Sequence, residues 1–157
     1  MKILLISDTH GKTHALENII LPAHAPEVDL VIHLGDFVRD LFQLQPKYPN
    51  LQMLGVGGSF EQDNEIKILD VCGKKIYYVH GHDHDVKNKT SRLEFSARIR
   101  EVDACFFGHS HKPVMFSEDG IFYMNPGSVS EGRGNPIGYG IVTISDSGQF
   151  SGELIEL

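Results

Sequence analysis

Four short apolar runs in this 157-residue chain end abruptly in aspartate, glycine or histidine. Short apolar runs bounded by turn residues are typical of buried strands. In open α/β sheets, functional groups collect just beyond the carboxyl ends of the strands. We therefore expect the four endings to converge on one site. The endings are Asp8-Thr9-His10, Gly35-Asp36, His80-Gly81-His82 and Gly108-His109-Ser110-His111.

The side chains at these endings are carboxylates and imidazoles, with almost no serine or cysteine nucleophile among them. Such a set suits divalent metal ions better than acyl transfer. A two-residue spacing, as between His109 and His111, lets both side chains point the same way from extended backbone. Asp36 has two oxygens and is able to bridge two cations. The sequence predicts a two-metal site formed by Asp8, His10, Asp36, His80, His109 and His111.

The charge of such a site favours phosphate chemistry. Two divalent ions outweigh the charges of Asp8, Asp36 and one bridging hydroxide, so the pocket would be positive in an otherwise acidic protein. A metal ion lowers the pKa of bound water from 15.7 to about 7, and two ions roughly 3.5–4 Å apart stabilise the attacking and leaving oxygens of an in-line displacement. The motifs H-E-x-x-H, G-x-x-x-x-G-K-[ST] and G-x-S-x-G are absent from the sequence.

The overall composition argues against two kinds of partner. A net charge of -7 opposes an extended nucleic-acid surface, because nucleic-acid affinity depends mainly on Lys and Arg at phosphates. No segment approaches the roughly 20 apolar residues of a membrane span, so we expect no membrane partner. The length fits one domain over residues 1–157. Cys72 and Cys105 lie in apolar stretches without metal-type spacing, which predicts buried, reduced thiols of a cytoplasmic protein.

The order of elements predicts an α/β fold. The first third of the chain reads βαβαβ and the rest is mostly hairpins, which favours a mixed sheet or two packed sheets with helices outside. A first helix is predicted over Thr13–Leu21, ended by Pro22, and Asp40 is interpreted as a surface carboxylate of the second helix. A helix over Lys87–Arg100 is expected to pack its apolar face on the sheet. The apolar residues of that helix are Leu93, Phe95, Ala97 and Ile99. The later hairpins offer an edge for a homodimer.

The four endings resemble the signature blocks of the calcineurin-like metallophosphoesterase superfamily. The short length and the segment Asn125-Pro126-Gly127-Ser128 resemble its small single-domain phosphodiesterase branch of bacteria and archaea. The resemblance runs from residue 1 to about Arg133. It implies an α/β fold in which two mixed β-sheets form a sandwich flanked by helices.

The resemblance also implies roles for individual residues. Asp8, His10 and His111 would hold one metal ion, His80 and His109 the other, and Asp36 would bridge the two ions. His82 matches a position near the site, with a substrate or supporting role. Arg133 is a candidate for binding the substrate phosphate, although a solvated loop arginine explains it equally well. We expect two divalent ions, with manganese foremost and nickel, zinc, iron, cobalt or magnesium left open.

One block departs from the family pattern. Family members usually carry G-N-x-[DE], whose asparagine is a ligand of the second metal ion, whereas this chain has Gly58-Ser59-Phe60-Glu61. A serine hydroxyl is a shorter and weaker ligand than an amide oxygen, so Ser59 predicts weaker or metal-dependent occupancy of the second site. Phe60 stands where larger members carry a histidine that is often assigned as general acid. The lack of a proton donor there favours activated esters, because general-acid assistance contributes roughly 10²–10⁴-fold.

We interpret the chain as a dinuclear metal-dependent phosphoesterase. The favoured reaction is hydrolysis of small phosphate or nucleotide diesters by a metal-bridging hydroxide, which makes a small-molecule phosphate ester the expected partner. The alternative is a catalytically weak or inactive protein-interaction scaffold on the same fold. Ser59 favours that alternative, whereas the other six expected ligands are retained. A phosphomonoesterase would differ only in the shape of the substrate pocket.

Overall fold

The computed structural model describes residues 1–59, 61 and 67–157. The strands within these ranges are β1 (Lys2–Ile6), β2 (Leu30–His33), β3 (Gln52–Gly55), β4 (Lys67–Val71), β5 (Lys74–Val79), β6 (Ala104–Phe107), β7 (Val114–Glu118), β8 (Ile121–Asn125), β9 (Gly138–Ile144) and β10 (Phe150–Glu156). The α-helices are α1 (Leu21–His24), which continues a π-helical turn (Leu16–Ile20), α2 (Arg39–Phe42) and α3 (Ser91–Ile99), and 3₁₀ turns cover Gln45–Lys47 and His82–His84. Over the same ranges, no helix combines the length and the apolar character that crossing a bilayer requires.

Two five-stranded sheets form the centre of the protein. Their strand orders are β10-β9-β1-β2-β3 and β4-β5-β6-β8-β7. Strands β1, β2 and β3 run parallel, as do β5, β6 and β8, whereas the remaining strands pair antiparallel. The predicted pair of mixed sheets is therefore confirmed. Each set of parallel strands places its carboxyl ends at one edge of its sheet.

Alternating side chains of β1 supply two separate hydrophobic cores. Ile3 and Leu5 face the second sheet, and Phe106 belongs to the same buried cluster between the sheets. Leu4 and Ile6 face the other way and pack against the first helical segment. A third cluster lies between the second sheet and α3. The layers thus run helix, sheet, sheet, helix, as the resemblance implied.

The first helical segment continues through Pro22, although the sequence predicted an end there. Pro22 lies in the first turn of α1, directly after the π-helical turn. In that turn the Leu21 N–H donates to the Leu16 carbonyl, five residues earlier. Proline is tolerated in a first turn because its missing N–H removes no α-helical bond there.

Helix α3 buries only part of its apolar side chains. Leu93 and Ala97 are fully buried, whereas Phe95 is 59% exposed and Ile99 is 61% exposed. Residues four apart share one face of a helix, and residues two apart do not. Leu93 and Ala97 therefore form the stripe that packs on the sheet, as expected for an apolar face of this helix, whereas Phe95 and Ile99 lie on a more exposed face.

The two cysteines lie in different environments. Cys105 is buried on β6, as predicted, but Cys72 is exposed in the turn between β4 and β5. Cys72 and Gly73 both have positive φ, 52° and 69°, which is the geometry of a two-residue hairpin turn. The prediction of a buried Cys72 was wrong because the apolar stretch around it is interrupted by this turn.

The two faces of α3 give a paired stability prediction. We expect Leu93→Ala to lower the free energy of unfolding by about 2–5 kcal/mol, because it opens a cavity in a closed core. Phe95→Ala is expected to change that free energy by no more than about 0.5 kcal/mol, because the ring is largely in solvent. Urea unfolding of both variants measures the difference. Equal losses would contradict the assignment of the two faces.

Candidate metal centre

The loops after β1, β2, β5 and β6 bring six of the predicted ligands together. They form two groups of three, and within each group the ligand atoms lie within 4.8 Å of one another. The groups are Asp8, His10 and His111, and Asp36, His80 and His109. Each group contains one carboxylate and two imidazoles and draws on both sheets. The site therefore depends on how the two sheets are packed.

The first group surrounds the buried Asp8 carboxylate. Its Oδ1 atom lies 3.1 Å from Nε2 of His111 and 4.0 Å from Nε2 of His10. The two imidazole nitrogens are 3.4 Å apart. One oxygen and two nitrogens thus face a space of the size that a metal ion occupies.

Asp36 lies between the two groups. Its Oδ1 atom is 3.3 Å from Nε2 of His80, and its Oδ2 atom is 3.9 Å from Nε2 of His10. His80 Nε2 is in turn 3.1 Å from Nδ1 of His109. Each oxygen of Asp36 is therefore directed to a different group, which is the arrangement that a bridging carboxylate needs.

A buried oxygen without a donor indicates that the first group fits a cation. Asp8 Oδ2 accepts hydrogen bonds from the Ser7 hydroxyl and, at 3.2 Å, from the His109 amide. Asp8 Oδ1 is buried and has no hydrogen-bond partner among the described residues. His111 donates its Nδ1 proton to the carbonyl of Glu131, so the neutral ring directs a lone pair from Nε2 at this oxygen. A lone pair facing a carboxylate needs a proton or a metal ion between them.

The second group has a fixed tautomer of the same kind. Nδ1 of His80 lies 2.7 Å from the Leu34 carbonyl, which can only accept, so Nδ1 carries the proton. The lone pair of the neutral ring is then on Nε2, which faces His109 and Asp36. Histidines that bind metals are commonly oriented by such a bond from the other ring nitrogen. The donor set of this group also fits a divalent ion.

The electrostatics keep negative charge at the centre. Burial acts to raise the pKa of Asp36, but contacts with His80 and the Ser59 amide hold it well below its usual range. Burial also acts to raise the pKa of Asp8, but the adjacent His111 imidazole, the nearby His80 and the Ser7 hydroxyl more than offset it, so that the pKa is lowered. Both carboxylates are therefore ionised at neutral pH.

The two imidazoles of the second group differ in basicity. Burial, with the charge of His80 nearby, lowers the pKa of His109 to about 4. Burial acts to lower the pKa of His80 as well, but the hydrogen bond and charge of Asp36 raise it. His80 is therefore the more basic imidazole of the pair, and a metal ion bound there would compete with a proton.

Five of the six grouped residues have left-handed backbone, a conformation that residues with a Cβ rarely adopt. Their φ values are 55° at Asp8, 49° at His10, 57° at Asp36, 65° at His109 and 57° at His111. Each such residue costs on the order of 1–3 kcal/mol and persists only where its surroundings enforce it. The strain is concentrated at the site.

Two glycines leave room for close contacts behind the ligands. A Cβ atom at Gly108 would lie 2.0 Å from the Ser7 hydroxyl, and one at Gly58 would lie 2.0 Å from Asp36 Oδ1. Both distances are far below van der Waals contact. These positions require glycine because any side chain would push the carboxylates out of place.

Asn125 supports the second sheet's ligands, a role that the sequence analysis missed. It is fully buried at the end of β8. Its Nδ2 atom donates to the Gly108 carbonyl at 2.8 Å and to the Ser110 hydroxyl at 3.0 Å, and its Oδ1 accepts the Gly127 amide at 2.9 Å. The residues on both sides of His109 are thereby fixed. The one sequence signal was the Asn-Pro-Gly-Ser segment itself.

Glu61 fixes the loop that carries Asp36, and the sequence did not predict this role. Its carboxylate accepts the amides of Phe37 at 3.1 Å, Val38 at 3.0 Å and Gly58 at 2.7 Å. Hydrogen bonds to an ionised acceptor are roughly twice as strong as neutral ones. Glu61 thus joins the loop after β2 to the loop after β3.

Asp40 is buried, and the interpretation of it as a surface carboxylate was wrong. It is only 7% exposed, and its Oδ2 atom accepts the Gly11 amide at 2.9 Å. The short helix α2 turns this side chain back toward the loop after β1. The helical pattern gave no sign of this because the partner is a backbone amide distant in sequence.

Ser59 lies beside the second group. Its amide donates to Asp36 Oδ1 at 2.8 Å, and its hydroxyl is 3.3 Å from Nδ1 of His109. The side chain is thus close to the nitrogen that faces the group, although it is shorter than the asparagine of the family pattern. Phe60, whose lack of a proton donor was noted above, lies outside the described residues, as do residues 62–66.

His82 lies beside the second group without being one of its three donors, and Arg133 lies in the loop between β8 and β9. The His82 ring centroid is 5.5 Å from that of His80 and 6.1 Å from that of His109. Arg133 is exposed, and its Nη2 atom is 3.9 Å from the carboxylate of Glu131. The functional roles of both residues stay predictions.

The two packed mixed sheets, with paired groups of carboxylate and imidazole donors at their strand ends, define an α/β protein built around a candidate dinuclear metal centre. The chain belongs to the calcineurin-like phosphoesterase superfamily, whose domain matches residues 1–147. The family resemblance found in the sequence is confirmed.

Two bacterial relatives and one solved structure illustrate the membership. The chain is 34% identical over 133 residues to a probable metallophosphoesterase, YsnB, of Bacillus subtilis, covering 82% of this chain and 75% of that protein. It is 33% identical over 171 residues to the phosphodiesterase YfcE of Escherichia coli K12, covering 90% of this chain and 87% of that protein. Vps29 of Entamoeba histolytica in complex with zinc has a TM-score of 0.75 over 99% of both chains at 20% identity, which shows a shared fold.

The role of Asn125 is testable through metal affinity. We expect Asn125→Ala to weaken divalent-ion binding by about 10–100-fold, because supporting residues of metal ligands contribute on that scale. Isothermal titration with manganese measures the change. Asn88→Ala removes an asparagine from an exposed bond to Asp85 and is the matched control. An Asn125 variant that is folded and binds metal as well as this control would refute the supporting role.

Proposed function

We propose that this protein is a dinuclear metal-dependent phosphodiesterase acting on small phosphate or nucleotide esters. The observation that supports this most strongly is the position of Asp36, which directs one oxygen at each of two donor groups. Membership of the phosphoesterase superfamily supports the same reaction class. The name of the Escherichia coli relative favours diesters over monoesters.

In this proposal each donor group holds one ion and Asp36 is shared. Bound divalent ions supply Lewis acidity and a nucleophilic hydroxide at neutral pH. The chain supplies the geometry, because its left-handed loops and buried hydrogen bonds hold the donors in place before any ligand arrives. The mixed nitrogen and oxygen donors suit manganese, iron, zinc, nickel or cobalt better than calcium, and we expect manganese first.

Two residues near the groups are proposed to contact the substrate. His82 is 29% exposed beside the imidazoles of the second group, so its ring is accessible to a phosphate oxygen. Arg133 is exposed next to Glu131, whose carbonyl holds His111 of the first group. Its guanidinium would attract an anionic ester to this side of the site. The single domain, the homodimer and the cytoplasmic location stay predictions.

An assay with a bridging-carboxylate variant tests the reaction. The metal-stripped protein is supplied with manganese, nickel, zinc or magnesium and assayed on bis-p-nitrophenyl phosphate and p-nitrophenyl phosphate. We expect metal-dependent hydrolysis of the diester, which is an activated ester and so needs little help from a general acid. Asp36→Asn should lower the rate by more than the roughly 10–100-fold that a supporting residue contributes.

The matched control for that assay is Asp119→Asn, since Asp119 is an exposed aspartate paired with Arg98 away from the site. It should keep the full rate. A faster reaction on the monoester would contradict the diester assignment. Full activity in Asp36→Asn would contradict the bridging role.

A protein-interaction scaffold is the second candidate, and the position of Ser59 is the observation that favours it. A shorter ligand at the second group weakens metal binding there, and the fold is shared with a Vps29 protein. A folded protein that hydrolyses neither ester with any of the four metals would favour this function over catalysis.

Restoring the asparagine tests the effect of Ser59. We expect Ser59→Asn to tighten binding of the second metal ion, because an amide oxygen reaches further than a hydroxyl 3.3 Å from His109. The gain should be about 10-fold, which corresponds to about 1.4 kcal/mol of binding free energy. Calorimetric titration resolves the two binding steps. Unchanged affinity and rate would show that Ser59 does not limit the second site.

A further inference from the structure

A cavity of about 430 Å³ opens beside the candidate metal centre, along α2. Its volume is within the range of roughly 300–1,000 Å³ that small-molecule sites occupy. The lining includes one aromatic ring, one cation, one amide and three carboxylates, namely Phe37, Arg39, Gln43, Asp36, Asp40 and Glu61. The cavity therefore meets the metal centre at Asp36 and extends away from it.

The carboxylates of this cavity are already engaged. Asp40 accepts the Gly11 amide, Glu61 accepts three backbone amides, and Asp36 belongs to the second donor group. Arg39, by contrast, is exposed and has no ion-pair partner in the described part of the chain. Arg39 and Gln43 therefore supply hydrogen-bond donors to a ligand in this cavity.

Phe37 has an unusual position for an aromatic residue. Its ring is 45% exposed, and its φ of 72° is left-handed. The backbone is held on both sides, since its amide donates to Glu61 at 3.1 Å and its carbonyl accepts the Thr9 hydroxyl at 3.3 Å. The ring lies edge-on to His10, with centroids 5.8 Å apart and an interplanar angle of 66°. The loop thus leaves an aromatic ring partly exposed beside the metal centre rather than burying it.

We propose that this cavity binds the base of a nucleotide ester whose phosphate lies at the metal centre. The base stacks on Phe37, and Arg39 and Gln43 donate hydrogen bonds to acceptors on its edge. Stacking on an aromatic side chain tolerates any base, because every base has a π face. The inference rests on the proposed phosphodiesterase function and narrows its substrate class to nucleoside esters.

A pair of ligands that differ only in the base tests this site. Adenosine 5′-monophosphate and ribose 5-phosphate are titrated calorimetrically into the manganese-loaded protein. We expect the nucleotide to bind about 10-fold more tightly, as a single base stack predicts. Phe37→Ala should abolish that difference and leave the affinity for ribose 5-phosphate unchanged, whereas Phe37→Tyr should keep it. Phe42→Ala, which removes a ring that is 43% exposed outside the cavity, is the matched control.

Arg39→Met adds a second, independent measurement, and it should weaken binding of the nucleotide alone. Equal binding of the two ligands by the unaltered protein would overturn the base site and leave the phosphate site intact. A preference for the nucleotide that survives in Phe37→Ala would also overturn the site. Binding of neither ligand would remove the phosphate site, and with it the proposed function on which the inference rests. Unchanged affinity for ribose 5-phosphate in each variant shows that the protein is folded.

Discussion

The hydrogen bond from the His109 amide to the Asp8 carboxylate joins the two sheets where their strands end. Asp8 follows β1 of the first sheet, and His109 follows β6 of the second. Both donor groups take residues from both sheets, so their geometry depends on this connection. The Ser128 and Ser130 hydroxyls donate to the Asp8 carbonyl and fix the same residue from the other side. Asp8 thus fixes the two sheets' contributions to the site relative to each other.

Carboxylates also explain how a strained site remains folded. Five left-handed residues at about 1–3 kcal/mol each cost as much as the net stability of a typical domain, about 5–15 kcal/mol. Amide bonds to Asp8, Asp36, Asp40 and Glu61 offset part of that strain, because bonds to ionised acceptors are strong. Ions that bind only the folded protein would stabilise it further. Folding and ligand binding are therefore coupled through the same loops.

The sequence was sufficient to predict the strands that carry the site and the convergence of their ends, because short apolar runs and abrupt polar endings are local signals. It was insufficient to predict the supporting roles of Asn125, Asp40 and Glu61, because their hydrogen-bond partners are backbone groups distant in the chain. No residue pattern marks a distant backbone amide or carbonyl as a partner. Helix α3 is a different case, because its spacing separates Leu93 and Ala97 from Phe95 and Ile99 but does not say which pair faces the sheet. Residue types predicted the metal-ligand candidates, whereas the residues that hold those side chains in place became visible only in the folded structure.

The exposed turn at Cys72 has a practical consequence. The chain has two cysteines, and the other, Cys105, is buried. Burial raises the pKa of the Cys105 thiol well above its usual range, so thiol reagents should label Cys72 selectively. Strand β5 begins two residues after Cys72 and ends directly before His80, and six strand residues span about 20 Å. A fluorophore attached at this turn would sit at the opposite end of the sheet from the metal centre, where it could report on immobilisation or tumbling without touching the ligands.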